Sequence, residues 1–310
     1  MHLYLAACYT NNYHKTQNRY IKLTEIEQGI MDRVPNELES YHYIKGQRFV
    51  DTIREQGAKV FLDSGAFSAH SLGVSIDIDA YCDYVIRNRD ILRVEGGAIM
   101  ASVLDGIGDA LKTYQNQLYM ESKGAKPLPC FHFGEDPRYL EWYVANYSYI
   151  TIGGLVGKAQ RDQEVWLDRI WNNYMVDGSG RAKLKVHAFG MTAPSLMKRY
   201  PWYSVDSSSW IQAASFGSIF TSEHGPIAVS KDSPSKHEAG RHLTTLTDVE
   251  RASVEAMLAR KGFNLERLGS VYESRAAYNC LGYCELNDLV NEHLAQANGI
   301  LDSQKAQQLF

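Results

Sequence analysis

Positive charge is not in excess in this chain. With 32 Lys and Arg against 36 Asp and Glu, the formal net charge is -4, so no global field gathers a polyanion and any nucleic-acid contact has to come from a local patch. Long apolar runs are missing too. No stretch approaches the roughly 20 residues of a membrane span, and the opening "MHLYLAACY" is too short and lacks the basic start of a signal peptide. A cytosolic protein without a membrane partner is the expectation. Cysteine is sparse: Cys8, Cys82, Cys130, Cys280 and Cys284 form an odd, scattered set, which argues against a secreted disulfide framework. There is no low-complexity tract, no repeat at the level of residue identity, and no Gly-x-x-x-x-Gly-Lys-Ser/Thr phosphate loop.

What is present is ordinary globular material, 310 residues with 45% hydrophobic and 22% charged side chains, enough to bury a substantial core. Short β-rich apolar runs recur at 2–9, 59–65, 98–105, 129–134, 147–155, 183–191, 202–210 and 225–230. Between several of them lie charged stretches with helical spacing, at 78–92, 136–147 and 162–175. About eight strand–helix alternations predict an α/β fold, a (β/α)8 TIM barrel over residues 1–230; a doubly wound open sheet is the alternative. From Lys231 a polar linker leads into helical stretches at 247–263 and 273–297, so residues 231–310 read as a linker and helical C-terminal extension.

The ends of these runs carry the polar residues. Asp63, Asp105, His132, Gly153 with Gly154, His187 and Asp206 each stand where a strand gives out, and a barrel collects such positions in one mouth. A single Asp there is equally at home capping a helix. Three together, each directly after an apolar run, suggest carboxylates crowded in a cleft, where they push each other's proton affinities apart and divide the labour of nucleophile and acid. Paired carboxylates flanking an anomeric carbon are one solution to sugar chemistry. The paired glycines of "ITIGGLVG" permit close backbone approach to a flat ligand.

Three motifs in this order resemble a known family. "DSGAFS" (63–68) is similar to the Asp-Ser-Gly-Gly-Phe/Tyr-Gln motif of the tRNA-guanine transglycosylase superfamily, "GGLVG" (153–157) to its Gly-Gly-Leu-Ala-Val-Gly loop, and "HAFGM" to "VDSSSW" to the segment ending at its nucleophilic aspartate. The resemblance spans roughly residues 60 to 210. It implies Asp206 as nucleophile, Asp63 as general acid/base, and a base site made of Ser64, Phe67, Asp105, His132, Gly153, Gly154, Leu155 and Phe189, with Phe67 and Phe189 sandwiching the base. His132 stands where the family has a Gln.

The departures narrow the resemblance. The family's Cys-x-Cys-x-x-Cys…His zinc motif is missing; Cys280, Cys284 and His293 remain, too few to complete a site. No metal and no cofactor are therefore expected. Without that motif, and with no evident RNA-binding β-domain, the chain more closely resembles the phage-type DNA-guanine transglycosylases called DpdA, which implies DNA as partner, tRNA as the alternative, a 7-deazaguanine as the incoming base, and the host cytoplasm as location if phage-encoded. Lys158 follows Gly157 where enzymes accepting an aminomethyl base carry a glutamate, which favours 7-cyano-7-deazaguanine. Lys198, Arg199 and Trp202, near Asp206 in sequence, are the expected nucleic-acid contacts, with 235–242 and 273–278 as further basic stretches. From another class, a metal-dependent barrel hydrolase would use His132, His187 and the aspartates, but wants a His-x-His or comparable ligand set.

Overall fold

The computed structural model describes residues 1–11, 13, 23–222 and 224–308, with side chains described as far as residue 296. Contacts divide the chain into two units, Met1–Asn11 with Asn36–Ser207, and Asn12–Pro35 with Ser208–Phe310. The division thus falls after Ser207, not at residue 230, and the second unit takes in an early segment as well as the C-terminal one.

The first unit is built on a seven-stranded sheet: β1 (His2–Ala6), β2 (Glu37–Ser40), β3 (Val60–Asp63), β6 (Cys130–His132), β7 (Tyr149–Gly153), β8 (Lys185–Ala188) and β9 (Ser204–Ser207), while β4 (Val94–Glu95) and β5 (Ala98–Ile99) pair as a small antiparallel hairpin. Its order is β3-β2-β1-β9-β8-β7-β6, and every pairing is parallel. From β2 onward, helices lie in the connections between successive parallel strands of this sheet. Several begin on a side-chain cap, Asp77 before Ile78–Arg87, Asp109 before Ala110–Ser122, and Asp136 followed by Pro137 before Pro137–Asn146. This arrangement is consistent with a partial (β/α) barrel.

Between the two edge strands runs the stretch 100–103. Leu62 N–H donates to Met100 O (2.9 Å) and Ser102 N–H to Leu62 O (2.9 Å); on the other side Val103 N–H donates to Leu128 O (3.0 Å) and Leu128 N–H to Ala101 O (2.7 Å). The strands are apolar on both faces because both are covered. Val60, Leu62, Ile150, Ile152, Val186 and Val205 are fully buried, and alternate residues form a second cluster of Tyr4, Ala6, Leu38, Phe61, Met100, Leu128 and Tyr149.

Two expectations about strands need correction. The run 225–230 lies outside this sheet: Gly225–Ala228 (β11) pairs antiparallel with Ser218–Thr221 (β10) in the second unit. In its place stands β2, whose sequence Glu-Leu-Glu-Ser has no apolar run. Glu39 is tolerated at full burial because it accepts from the backbone N–H of Tyr9 (2.6 Å) and Thr10 (3.3 Å) and from the Thr10 hydroxyl (2.7 Å).

Among the described residues of the second unit, the hairpin is accompanied by the α-helices Glu25–Met31, Ser209–Ser215, Asp248–Arg260, Leu265–Ser270 and Tyr272–Gln308. Ile219, Ile227, Val254, Met257, Leu258 and Tyr278 form its core. Buried Asn279 accepts from Phe220 N–H (2.7 Å) and donates to Trp210 O and Ser218 O. Gly282 is required beside it, since a Cβ there would lie 2.5 Å from Phe220 O. Glu27 takes both a bidentate bond from Arg267 and the Ser274 hydroxyl. No described helix is long and apolar enough to cross a membrane.

Candidate active site

Residues two apart on a strand share a face, and at the C-terminal ends of the sheet that periodicity assembles the candidate site. Asp63 ends β3, His132 ends β6, Gly153 ends β7, and Asp206 is the penultimate residue of β9; Asp105 follows the stretch 100–103. Unlike Asp77, Asp109 and Asp136, none of the three site aspartates supplies the side-chain cap of a following helix.

Asp63 lies in the field of both other carboxylates. Its Oδ2 accepts from Gly65 N–H (2.9 Å), and its Oδ1 is 3.4 Å from the hydroxyl of Ser102, which in turn accepts from Ser64 N–H (2.8 Å). Gly65 is there for two reasons: φ is +76°, and a Cβ would lie 2.4 Å from Ser40 Oγ. Burial, then the charge of Asp105, then that of Asp206 push the Asp63 carboxyl up to about 7, against the partial relief of its hydrogen bonds. A little of the side chain still reaches solvent, but the protein packed around it dominates.

Asp206 is held through one oxygen. Gly190 N–H (2.8 Å) and His187 Nε2 (3.3 Å) both meet Oδ1. His187 is wholly buried, with Nδ1 2.7 Å from Ser204 Oγ, itself 2.7 Å from the Tyr149 hydroxyl. Tyr149, Ser204, His187 and Asp206 thus form one continuous hydrogen-bonded chain, in which both ring nitrogens of the buried imidazole have a partner.

Asp105 and His132 stand side by side, with Cys130 and Glu135 as further neighbours. His132 Nε2 is 3.4 Å from Asp105 Oδ2 and 3.4 Å from Cys130 Sγ, while Nδ1 is 2.9 Å from Glu135 Oε1. Glu135 Oε2 also accepts the His132 backbone N–H (2.9 Å). Asp105 Oδ1 is buried without a hydrogen-bond partner. Burial pushes the Cys130 thiol up to about 11, with Asp105 adding to it. For His132, burial lowers proton affinity, but Cys130 and Asp105 outweigh it and the imidazole is raised. The sequence signal was available: Cys130 and His132 alternate in "CFH", and Glu135 follows three residues later.

The remaining residues of the expected base site divide. Gly154 is exposed, with φ +73°, and a Cβ would sit 3.0 Å from Phe133 N; Leu155 is buried. Gly153 has no room for a side chain, because a Cβ would lie 2.9 Å from His132 Cδ2. Ser64 is fully buried, and its hydroxyl accepts from Ala66 N–H, a local turn bond. Phe67 is 68% exposed, whereas Phe189 packs its ring on Phe61 and His187.

The expected nucleic-acid contacts do not gather here. Trp202 is buried, donates to Leu196 O and packs against Trp171 and Tyr200, so it offers no stacking face. Arg199 is held by Asp168 in a bidentate pair (2.9 and 2.7 Å). Lys198 is exposed, but all three precede β9 and so lie on the side where strands begin. Of the further basic stretches, Arg275 is buried and donates to Ala214 O and Leu268 O, and Arg241 pairs with Glu238. On the side where the strands end, Lys158 follows β7 with its ammonium 5.4 Å from the Phe133 ring centre, and Lys112 and Arg138 stand in the first turns of helices that follow strand ends.

Cys280 is buried in the helix Tyr272–Gln308, and a hydrogen bond from it lowers the Cys284 thiol; His293 is exposed and not grouped with them. Among the described residues, the three-membered His, Cys or acidic group with metal-ligand spacing is Asp105, Cys130 and His132. No known protein-family model matches the chain, and no curated protein matches it.

Proposed function

We propose that the protein is a guanine transglycosylase that exchanges guanine in DNA for a 7-deazaguanine through a covalent aspartyl-sugar intermediate, on a closed (β/α)8 barrel. Two-sided hydrogen bonding of residues 100–103 supports the closed barrel, since it supplies an eighth stave between β3 and β6. The observation that carries the activity is the meeting of Asp63, Asp105 and Asp206 with no Lys or Arg among the described residues paired to any of them.

In this reading Asp206 Oδ2 attacks the anomeric carbon C1′ as the C1′–N9 bond breaks. Asp63, with a proton affinity near neutrality, donates the proton that the departing guanine takes up, and then accepts the proton of the incoming base as the second displacement releases Asp206. Asp105 Oδ1, buried and unpaired, supplies the acceptor for the N1–H and 2-amino edge of guanine, a donor pair adenine lacks. His132 stands in for the family's Gln, Gly154 and Leu155 offer backbone groups, and Phe67 and Phe189 flank the ring. No acidic residue replaces Lys158, which favours the uncharged cyano base over an aminomethyl one.

The test is incorporation of labelled guanine into DNA or tRNA by the purified protein. Label in DNA supports the proposal. Label in tRNA alone moves the polymer and keeps the aspartate chemistry; label in neither removes the activity.

A further inference from the structure

We infer that Asp105, Cys130 and His132 form a three-ligand site for a single zinc-like divalent cation, with Glu135 as its outer support. The inference does not rest on the transglycosylase reading. Cys130 and His132 alternate on β6, which is locked in register against Thr151 and Gly153 of β7, so their side chains share a face and a fixed spacing.

The separations suit a common metal. His132 Nε2 is 3.4 Å from Cys130 Sγ and 3.4 Å from Asp105 Oδ2, and the three donor atoms all lie within 4.8 Å of one another. Ligands bound at about 2.0–2.3 Å around a tetrahedral centre stand roughly 3.3–3.7 Å apart. One thiolate, one imidazole and one carboxylate form a borderline-soft set, suited to zinc or cobalt and unsuited to magnesium or calcium, which take oxygen ligands.

Two further features point the same way. Glu135 Oε1 binds Nδ1 of His132 at 2.9 Å, and its other oxygen takes the backbone N–H of the same residue. This carboxylate–histidine clamp fixes the tautomer with Nε2 as the ligating nitrogen. On the same carboxylate whose Oδ2 faces His132, Oδ1 is buried with no hydrogen-bond partner, a shortfall that a cation bound to both oxygens, a ligand donor or a water would make good. Binding converts the Cys130 S–H to a thiolate–metal bond and releases the proton to solvent. Three protein ligands leave a fourth position for water or substrate. Because a bound cation and a guanine both require Asp105 and His132, each excludes the other.

Cobalt(II) is the probe, titrated into the full chain freed of metal by a chelator. One equivalent should bind with a sulfur-to-cobalt charge-transfer absorption. Cys130→Ser should abolish that absorption, and Glu135→Gln should weaken binding about 10- to 100-fold; a Cys280→Ser, Cys284→Ser double variant should change neither. Circular dichroism verifies that each variant is folded, and proton release measured in buffers of different ionisation heat reports the Cys130 step independently. Absence of the band in the unsubstituted protein, or a band that survives Cys130→Ser and vanishes in the double variant, overturns the site. Neither readout needs substrate, so the outcome is independent of guanine exchange.

Discussion

The two ends of the sheet in the first unit handle charge in opposite ways. Where the strands begin, Glu95 accepts from the Tyr4 hydroxyl (2.8 Å) and from Arg93 (2.5 Å), whose guanidinium also lies over the Tyr4 ring, and Lys185 sits 4.3 Å from the Tyr203 ring centre. Where the strands end, three carboxylates stand together, Asp105 against His132 and Asp206 against His187, and no Lys or Arg among the described residues pairs with them. One end spends its polar groups on neutralisation, the other keeps them poised. In (β/α) architectures the first pattern belongs to stability and the second to chemistry. A cleft of about 330 Å3, lined by Ala98, Glu121, Lys126, Leu128, Tyr147 and Tyr149, lies at the strand-beginning end and shares no residue with the carboxylate site.

The largest expected effect comes from removing the nucleophile. Asp206→Asn keeps size and removes charge, so guanine exchange should fall by at least about 10^3-fold with an unchanged circular dichroism spectrum. A near-normal exchange rate would place the nucleophile elsewhere.

The contrast between the ends becomes sharpest as a pair of opposite stability effects. Asp63 carries a raised proton affinity, from 3.8 to about 7, so its contribution to stability is fully present below about pH 4 and is lost as pH rises through 7. At about 1.4 kcal/mol per unit the loss is bounded near 4 kcal/mol, and about 2 kcal/mol is expected given its partial exposure. Asp63→Asn should therefore be more stable than the unsubstituted protein at pH 8 and similar at pH 4, while its exchange activity is severely reduced. Glu95 is the reverse case. Burial alone would raise its carboxyl, but the bond from Tyr4 and the charge of Arg93 hold it below its ordinary value, so its contribution is present above that value and is lost in acid. Glu95→Gln should cost about 1–3 kcal/mol at pH 7, with the difference shrinking as pH falls. Denaturant unfolding across pH measures both, and equal signs would erase the contrast.

Asp105→Ala should weaken guanine binding by about 10- to 100-fold, from the loss of hydrogen bonds to a charged acceptor, while changing the melting temperature little. Calorimetry showing unchanged affinity would remove Asp105 from the base site. The smallest effect separates the ends by cation. Lys158→Ala should weaken DNA binding a few-fold and lower the salt dependence by about 0.9 in log-log slope, whereas Lys198→Ala, at the opposite end, should leave both nearly unchanged. The reverse ranking would return the nucleic-acid path to the strand-beginning side.

Much of the first unit was legible from hydrophobic periodicity. Apolar runs mark β1, β3, β6, β7, β8 and β9, and helical spacing marks Ile78–Arg87 and Pro137–Asn146, as it does Asp248–Arg260 in the second unit. β2 was not, because Glu37 and Glu39 hide the pattern and only the Tyr9 and Thr10 donors make a buried Glu39 acceptable. Gly225–Ala228 reads like any other strand, since an apolar run does not reveal whether its partner is parallel in one sheet or antiparallel in another.

The sequence by itself determined that Asp63, Asp105, His132 and Asp206 would stand at the ends of strands or apolar runs, because the alternation of apolar and turn-forming residues is a local property of the backbone. Only the tertiary structure decided which side chains face one another. Lys198 and Arg199 are close to Asp206 along the chain yet lie where β9 begins, Arg199 is taken up by Asp168 and Trp202 by aromatic packing. Conversely, Cys130, Glu135 and Asp105 come together around one imidazole. The physical reason is that a parallel strand separates its two ends by its own length while joining residues far apart in sequence across a few ångströms of sheet.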